Sequence, residues 1–409
     1  MRICHVTPHL PPDQAANALL PYHLGCWARE AGDDPCFIAH PPRQARGDAS
    51  AIALPGPVAF VPARQSGNAV ARALKIGSAA AAWRIANVAK PIIADSDVVH
   101  VHSNGLLAEY CARLAVRASK PVVLTLYGTE IWHYRRKRFG PDLFTAAYRT
   151  ASAVTFYSHG LLDHGIALGL DRPALHVVYP PIANEFQAAD RAAQLAARAQ
   201  LGISAPHLLL NVKRLHPLAG QQFLVEAMPA ILAAHPDTLL VICGTGTLRD
   251  ELEESARRLG VDRHVRLAGL VDNATVAVYN RAADLFVLPS RLEACPTVAL
   301  EALACGTPVI SSDNPGGVEL HGLFGDDVAV VPREDSARLA GAIVAALAGP
   351  RRTRPATAET LEREFRPKAV AANYYGIYRA VLASAGATRE ASAEREARGS
   401  GLGAHRDDR

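Results

Sequence analysis

The chain has 409 residues, 49% hydrophobic and 20% charged, with a formal net charge of +4. That length allows two domains, each burying its own core. No apolar run approaches the ~20 residues of a membrane-spanning helix. Seven cysteines (4, 26, 36, 111, 243, 295, 305) lie far apart with no C-x-x-C pair, which reads as buried thiols in a reducing cytoplasm and argues against metal ligation.

Charge is uneven along the chain. Residues 1–185 carry 18 Lys and Arg against 13 Asp and Glu, whereas residues 186–409 carry 25 against 26. The basic amino half suits an anionic acceptor or an acidic membrane surface, and no nucleic-acid partner is expected. The opening MRICHVTPHLPP reads as a strand and a loop, because no h-region follows the first arginine. The expected location is cytoplasmic, with peripheral contact at the inner membrane face as an option.

In chain order, the pattern predicts a helix over 19–31, short strands over 36–39 and 52–54, and an alanine-rich helix over 69–89. A strand over 97–102 follows, whose end presents His102, with His100 on the same face. After a helix over 107–119, a buried strand over 121–126 ends in Tyr127-Gly128-Thr129-Glu130. Residues 132–139, WHYRRKRF, set four cations between aromatics and could grip a phosphorylated or lipid head group, or be a solvated loop. Strands over 153–157 and 176–178 precede Pro180-Pro181, an extended connection that excludes helix and marks the domain boundary.

A helix over 188–202 opens the second half. The strand over 208–212 leads into Lys213-Arg214-Leu215-His216-Pro217-Leu218-Ala219-Gly220, and that over 238–243 into Gly244-Thr245-Gly246. An amphipathic helix over 248–259 leads to a strand over 265–267, followed by Ala268-Gly269-Leu270-Val271. After a helix over 275–282 comes the most informative stretch, ADLFVLPSRLEACPTVALEALACGTPVISSDNPGGVE (283–319). A buried strand stops at Pro289, a loop carries Glu293 and Cys295, and Pro296-Thr297 opens a helix through Val298 to Glu301. Gly306-Thr307-Pro308 ends that helix, a strand begins at Val309, and Gly316-Gly317 is expected as a flexible turn before Glu319. The loop lies at the carboxyl end of a strand, where open α/β sheets bind ligands. The helix start offers unpaired N–H groups to a phosphate. Glu293 or Glu301 alone is better read as an exposed residue; the two in register with Pro296, Gly306-Thr307-Pro308 and Gly316-Gly317-x-Glu319 carry the functional reading. Helices over 335–348 and 369–382 close the fold.

Residues 283–319 resemble the nucleotide-sugar site of the retaining glycosyltransferases of family 4, with their E-x7-E signature, and the resemblance extends from residue 1 to about 382. It implies the GT-B fold: two Rossmann-like, doubly wound α/β domains facing a cleft, here 1–183 on the acceptor side and 184–368 for the nucleotide sugar. A helix over 369–385 would cross back, and 386–409 would form a disordered tail. The implied donor-binding residues are Gly244, Gly246, Gly269, Leu270, Cys295, Pro296, Thr297, Val298 and Glu301. Lys213, absent from the family's usual pattern, is a further donor-binding candidate that could supply a second cation, the alternative being Arg214 and the helix start alone. The implied catalytic residues are Arg214, Glu293 and Tyr127. Ala15, Ala16, His102, Gly128 and Glu130 are acceptor-side candidates. The family usually has Gly-Gly where Ala15-Ala16 stands, histidine at Tyr127 and lysine at Ala219. The reaction implied is transfer of a hexose-type sugar from a nucleotide diphosphate sugar to a glycan, lipid-linked or small-molecule hydroxyl, with no cofactor and no metal. The alternative is a catalytically weakened nucleotide-sugar-binding scaffold or regulator of a partner transferase, and an epimerase on the same fold is a third reading.

Overall fold

A computed structural model of the chain describes residues 1–13, 15–42, 53–62, 76–136, 140, 142–172, 174–349 and 351–401. They form two compact units, Met1–Tyr157 with Leu162–Val178 and Ala371–Arg409, and Ser158–Leu161 with Tyr179–Val370.

The first unit contains seven strands: β1 Arg2–Thr7, β2 Asp34–Ala39, β3 Val58–Phe60, β4 Val98–His102, β5 Val122–Leu126, β6 Ala153–Phe156 and β7 Leu175–Val177. They pair in parallel in the order β3-β2-β1-β4-β5-β6-β7. Every residue of β4, β5 and β6 is buried, as in strands covered on both faces. That is why these segments read as largely apolar runs, broken only at His100, His102, Thr125 and Thr155. Strand order reverses between β1 and β4, where the chain registers His5 against His100.

The second unit contains β8 His207–Val212, β9 Thr238–Cys243, β10 Val265–Gly269, β11 Leu285–Leu288, β12 Val309–Ser312 and β13 Val328–Val331. Their order is β10-β9-β8-β11-β12-β13, so the reversal falls between β8 and β11. Leu209, Leu224, Met228, Ile242, Val287, Ile310 and Ile343 belong to its core. A polar anchor lies at the amino ends of β8 and β11. Arg198, buried on the helix Arg191–Gln200, pairs with Asp284 and donates through Nε to the Ala282 carbonyl at 2.9 Å. Asp284 also accepts from the Leu208 N–H at 2.8 Å. Both charges therefore have partners, without which such burial would be costly.

Several expectations need correction. Ile52 lies outside the described residues and the third strand is Val58–Phe60, which extends the sheet beyond the proline-rich turn at Pro55. Residues 69–75 also lie outside them, and the helix there is Ile76–Ala94. Gly316-Gly317 is not a flexible turn; both residues are buried inside the helix Pro315–Phe324. Asn314 caps that helix, accepting from the Gly317 N–H at 2.9 Å, with Pro315 in its first turn, a start signal present in the sequence. The expected disordered tail 386–409 is helical as far as it is described: the last helix runs Pro367–Gly401, Ala, Glu and Arg there being strong helix formers even without an apolar stripe, and residues 402–409 lie outside the described residues. Arg135 and Arg136 of the cationic stretch are exposed, while Lys137, Arg138 and Phe139 lie outside the described residues. Among the described residues no helix is long and apolar enough to cross a membrane.

Candidate functional site

The carboxyl ends of β8 and β11 flank the strand-order reversal of the second sheet, the position at which doubly wound sheets take ligands. The loops leaving these two strands are tied together: the Arg291 N–H donates to the Leu218 carbonyl at 2.9 Å. Lys213, immediately after β8, reaches Glu293, in the loop after β11, with Nζ to Oε1 at 2.7 Å. The lysine side chain is 30% exposed and the glutamate 11%, so the pair is partly desolvated.

The Glu293 loop is held from behind. Its carbonyl accepts from the Gly316 N–H at 2.9 Å. A methyl on Gly316 would lie 2.8 Å from Pro296 Cδ and 3.1 Å from Glu293 Cβ. Glycine there lets the helix Pro315–Phe324 lie against the loop. Asn314 completes the tie, donating to the Ser290 carbonyl and to Ser312 Oγ, both at 3.0 Å.

Beyond Pro296 the chain enters the helix Thr297–Ala304, whose amino end has no side-chain cap. The N–H groups of Thr297 and Val298 are therefore among its orphan donors. Glu301, one turn in, has its carboxyl pushed up to about 8 by burial, then by Glu185, against the opposing charge of Lys213. Burial beside Glu319 and Glu293 pushes the Cys295 thiol well up, so it stays protonated. Glu319 is itself engaged, accepting from the His159 and Gly160 N–H groups at 2.7 and 2.9 Å and from the Tyr179 hydroxyl at 2.9 Å.

The neighbouring loops complete the rim. The Gly244 N–H donates to the Gly269 carbonyl at 2.7 Å, and Gly244 has φ 145°, where a Cβ would lie 2.1 Å from the Lys213 carbonyl oxygen. Gly246 bridges to Leu215. Leu270, just past β10, is 83% exposed. Arg214 is exposed, while Ala219 is buried and brings no charge. Lys213, a donor-binding candidate from the sequence, is paired with Glu293.

In the first unit the candidates gather at the carboxyl ends of β4 and β5. The Tyr127 hydroxyl contacts His102 Nδ1 at 2.8 Å, and His102 Nε2 contacts His5 Nδ1 at 3.1 Å. Burial holds the Tyr127 phenol well above its ordinary pKa. Glu130 is buried and turned into its own loop. It accepts from Ser103 Oγ at 2.5 Å and from the Tyr127 and Gly128 N–H groups at 3.2 and 2.9 Å. It shapes the turn that presents Tyr127. Ala15 and Ala16 are exposed at the start of the helix Ala16–Glu30, with no side-chain cap. His5 was not singled out in the sequence, although the β1 and β4 periodicities put it beside His100 and His102.

His5, His100 and His102 are the one group of three His, Cys, Asp or Glu residues among the described residues close enough to share an ion, one nitrogen of each within 4.8 Å of the others. Their nitrogens are largely taken: His100 contacts the Tyr378 hydroxyl and Thr125 Oγ1, both at 2.7 Å.

Comparison with known proteins agrees with this architecture. Residues 194–362 match the family described as glycosyl transferases group 1, and residues 22–186 match glycosyltransferase family 4. The glycogen synthase of Mycobacterium tuberculosis is 34% identical over 262 residues, covering 62% of this chain and 61% of that protein. The GDP-mannose-dependent alpha-(1-6)-phosphatidylinositol monomannoside mannosyltransferase of Mycolicibacterium smegmatis is 30% identical over 209 residues, 49% of this chain and 54% of that one. The chain thus spans no more than 61% of the length of either relative. The crystal structure of Anabaena Alr3699/HepE in complex with UDP shares the fold, with a TM-score of 0.70, 19% identity, and coverage of 93% of this chain and 100% of that one. With one family match on each of two parallel-sheet α/β units, the chain belongs to the family 4 glycosyltransferases of the GT-B fold.

Proposed function

We propose that the chain is a retaining glycosyltransferase that moves a hexose-type sugar from a nucleotide diphosphate sugar to an acceptor hydroxyl, without a metal ion. The observation that carries this reading is the convergence of Glu293, Lys213, Glu301 and the open start of the helix Thr297–Ala304 at one sheet's strand-order reversal. Diphosphate suits the helix start, where N–H groups and the dipole favour anions. Exposed Arg214 adds a second positive group for the charge that builds as the anomeric C–O bond to the leaving diphosphate breaks. Glu301 would hold the ribose and Glu293 the sugar hydroxyls, with Lys213 keeping Glu293 in place. Gly244, Gly246, Gly269 and Leu270 form the rim on which the base would rest.

The acceptor hydroxyl attacks the anomeric carbon from the face the diphosphate leaves. A phosphate oxygen takes its proton, so no protein nucleophile is needed. Names of relatives mention GDP-mannose, and a structural neighbour was solved with UDP; both are nucleoside diphosphate chemistry, and the donor proposed here is of that class. The acceptor class is a glycan, a lipid-linked sugar or a small hydroxyl compound, met by the first unit through Tyr127 and the Ala15-Ala16 helix start. His102, an acceptor-side candidate from the sequence, is buried with both nitrogens engaged and stands behind Tyr127.

A second reading, a nucleotide-sugar-binding scaffold with weak or no turnover, is favoured by buried Ala219, which leaves Arg214 without a lysine partner. Thermal-shift and calorimetric titration with UDP-, GDP- and ADP-sugars, followed by a nucleotide-release assay with acceptor extracts, separates the two. Binding with turnover supports the transferase. Binding without release by any acceptor supports the scaffold, and no binding at millimolar donor removes both. Glu301→Ala should weaken donor binding by about 1–3 kcal/mol, and Arg214→Ala should act mainly on turnover.

A further inference from the structure

At the strand-order reversal of the first sheet, a line of side chains runs inward from Tyr127. The hydroxyl meets His102 Nδ1 at 2.8 Å, and His102 Nε2 meets His5 Nδ1 at 3.1 Å. Both histidines are fully buried. The His5 ring stacks on Phe37, with centroids 5.4 Å apart, and its Nε2 has no hydrogen-bond partner. Burial drives His5 down to about 3 and His102 well below its ordinary value. Each ring is therefore neutral near pH 7 and carries one N–H.

The line can run in two directions. If Tyr127 donates inward, His102 must donate from Nε2 to His5, and His5 then carries its own proton on Nε2. That leaves a buried N–H with no acceptor, a rare arrangement in folded proteins. If His5 donates from Nδ1, the orphan is a bare nitrogen lone pair. Among backbone groups the under-satisfied acceptor is the commoner of the two defects, and the proton direction taken here extends that preference to the imidazole.

We infer that His5 is a positioning residue for Tyr127: His5 Nδ1–H donates to His102 Nε2, His102 Nδ1–H donates to the Tyr127 oxygen, and the Tyr127 O–H is left to donate to a ligand. The ligand atom would be an oxygen acceptor, a sugar hydroxyl or a phosphate oxygen, bound on the first unit. The inference rests on the reading of Tyr127 as a ligand contact. It also gives tyrosine at this position a defined polarity, which two adaptable partners would not. Tyr157 packs edge-on against the Tyr127 ring at 4.7 Å and limits its movement.

The test is long-range proton–nitrogen NMR on the full chain with 15N-labelled histidine, assigned by His5→Phe and His102→Gln. The expected spectrum shows His102 protonated at Nδ1 and bare at Nε2, with His5 likewise protonated at Nδ1. A His102 Nε2–H tautomer, or an imidazolium at neutral pH, overturns the inference and leaves the reading of Tyr127 standing. With an active donor and acceptor pair, His5→Phe and Tyr127→Phe should each lower kcat by about tenfold, with the double variant no worse than either. His5→Asn, which restores a side-chain N–H near the Nδ1 position, should recover most of the loss. Additive losses in the double variant overturn the inference. Unchanged kcat in both single variants, beside the expected tautomers, overturns its ligand end and the reading of Tyr127 together. Far-ultraviolet circular dichroism and melting of each variant separate these outcomes from misfolding.

Discussion

Lys213 and Glu293, eighty positions apart in the chain, form an ion pair at 2.7 Å across the point where strand order reverses in the second sheet. The pair couples the loop after β8 to the loop after β11. Its carboxylate is mostly sequestered and its ammonium about one-third exposed. Removing one partner strands the other in a partly dry site.

A double-mutant cycle with Lys213→Met and Glu293→Gln should therefore give a coupling free energy of about 1–2 kcal/mol in urea unfolding. Lys213→Met should be the more damaging single change, since it leaves a carboxylate without its cation. A coupling indistinguishable from zero would mean that the contact has no energetic weight and that Glu293 is held by its backbone alone.

Glu301 supplies a pH dependence. Its folded pKa, about 8, lies above the ordinary value of 4.5. The folded state therefore holds a proton that the unfolded chain releases once pH exceeds about 4.5. The stabilising contribution is full below that value and declines as pH rises toward 8. Glu301→Gln, which mimics the protonated group, should gain on the wild type by about 1–3 kcal/mol between pH 5 and pH 8. Parallel pH–stability curves for the two proteins would show that Glu301 is ionised in the fold throughout.

Glycine 316 tests packing behind the loop. Gly316→Ala places a methyl 2.8 Å from Pro296 Cδ, and should cost about 1–3 kcal/mol and loosen donor binding through Glu293. Gly341→Ala is the matched control, because a methyl there meets nothing within 4 Å. In the middle of the helix Ser336–Ala348 it should stabilise by about 0.5–1 kcal/mol. Equal melting temperatures for the two variants would remove the steric account.

Glu130→Gln probes the turn that presents Tyr127. The carboxylate accepts three hydrogen bonds, from one hydroxyl and two amides, and an amide nitrogen can accept none of them. The expected loss is about 2–4 kcal/mol of stability in denaturant titration, with Tyr127-dependent activity falling alongside. Wild-type stability in this variant would show that the turn keeps its shape without the charge.

Much of the fold was legible from local pattern. The apolar runs ending at Leu126, Phe156, Cys243 and Leu288 are strands with nearly the expected bounds, because strands buried on both faces are largely apolar. Boundaries failed where the signal was chemical and not periodic. Asn314-Pro315 is a cap and first turn, yet the adjacent glycines read more strongly as a break. The segment 389–401 is helical through residue propensity, with no apolar stripe to show it.

The site divides along the same line. Its residue types and spacing, Glu293 and Glu301 around Pro296-Thr297, follow from the linear chain, because a loop and the helix it enters are sequence neighbours. Local order dictated which backbone amides stand open and which carboxyls lie near them. The partners came from elsewhere: Lys213 for Glu293, Gly316 for its loop, His5 for His102 and Ser103 for Glu130. Hydrogen bonds and ion pairs depend on distances of about 3 Å, and parallel strands joined through helices bring such groups together from tens of residues apart. Only the folded topology decides those distances, and with them which charges are paired and which imidazoles are neutral.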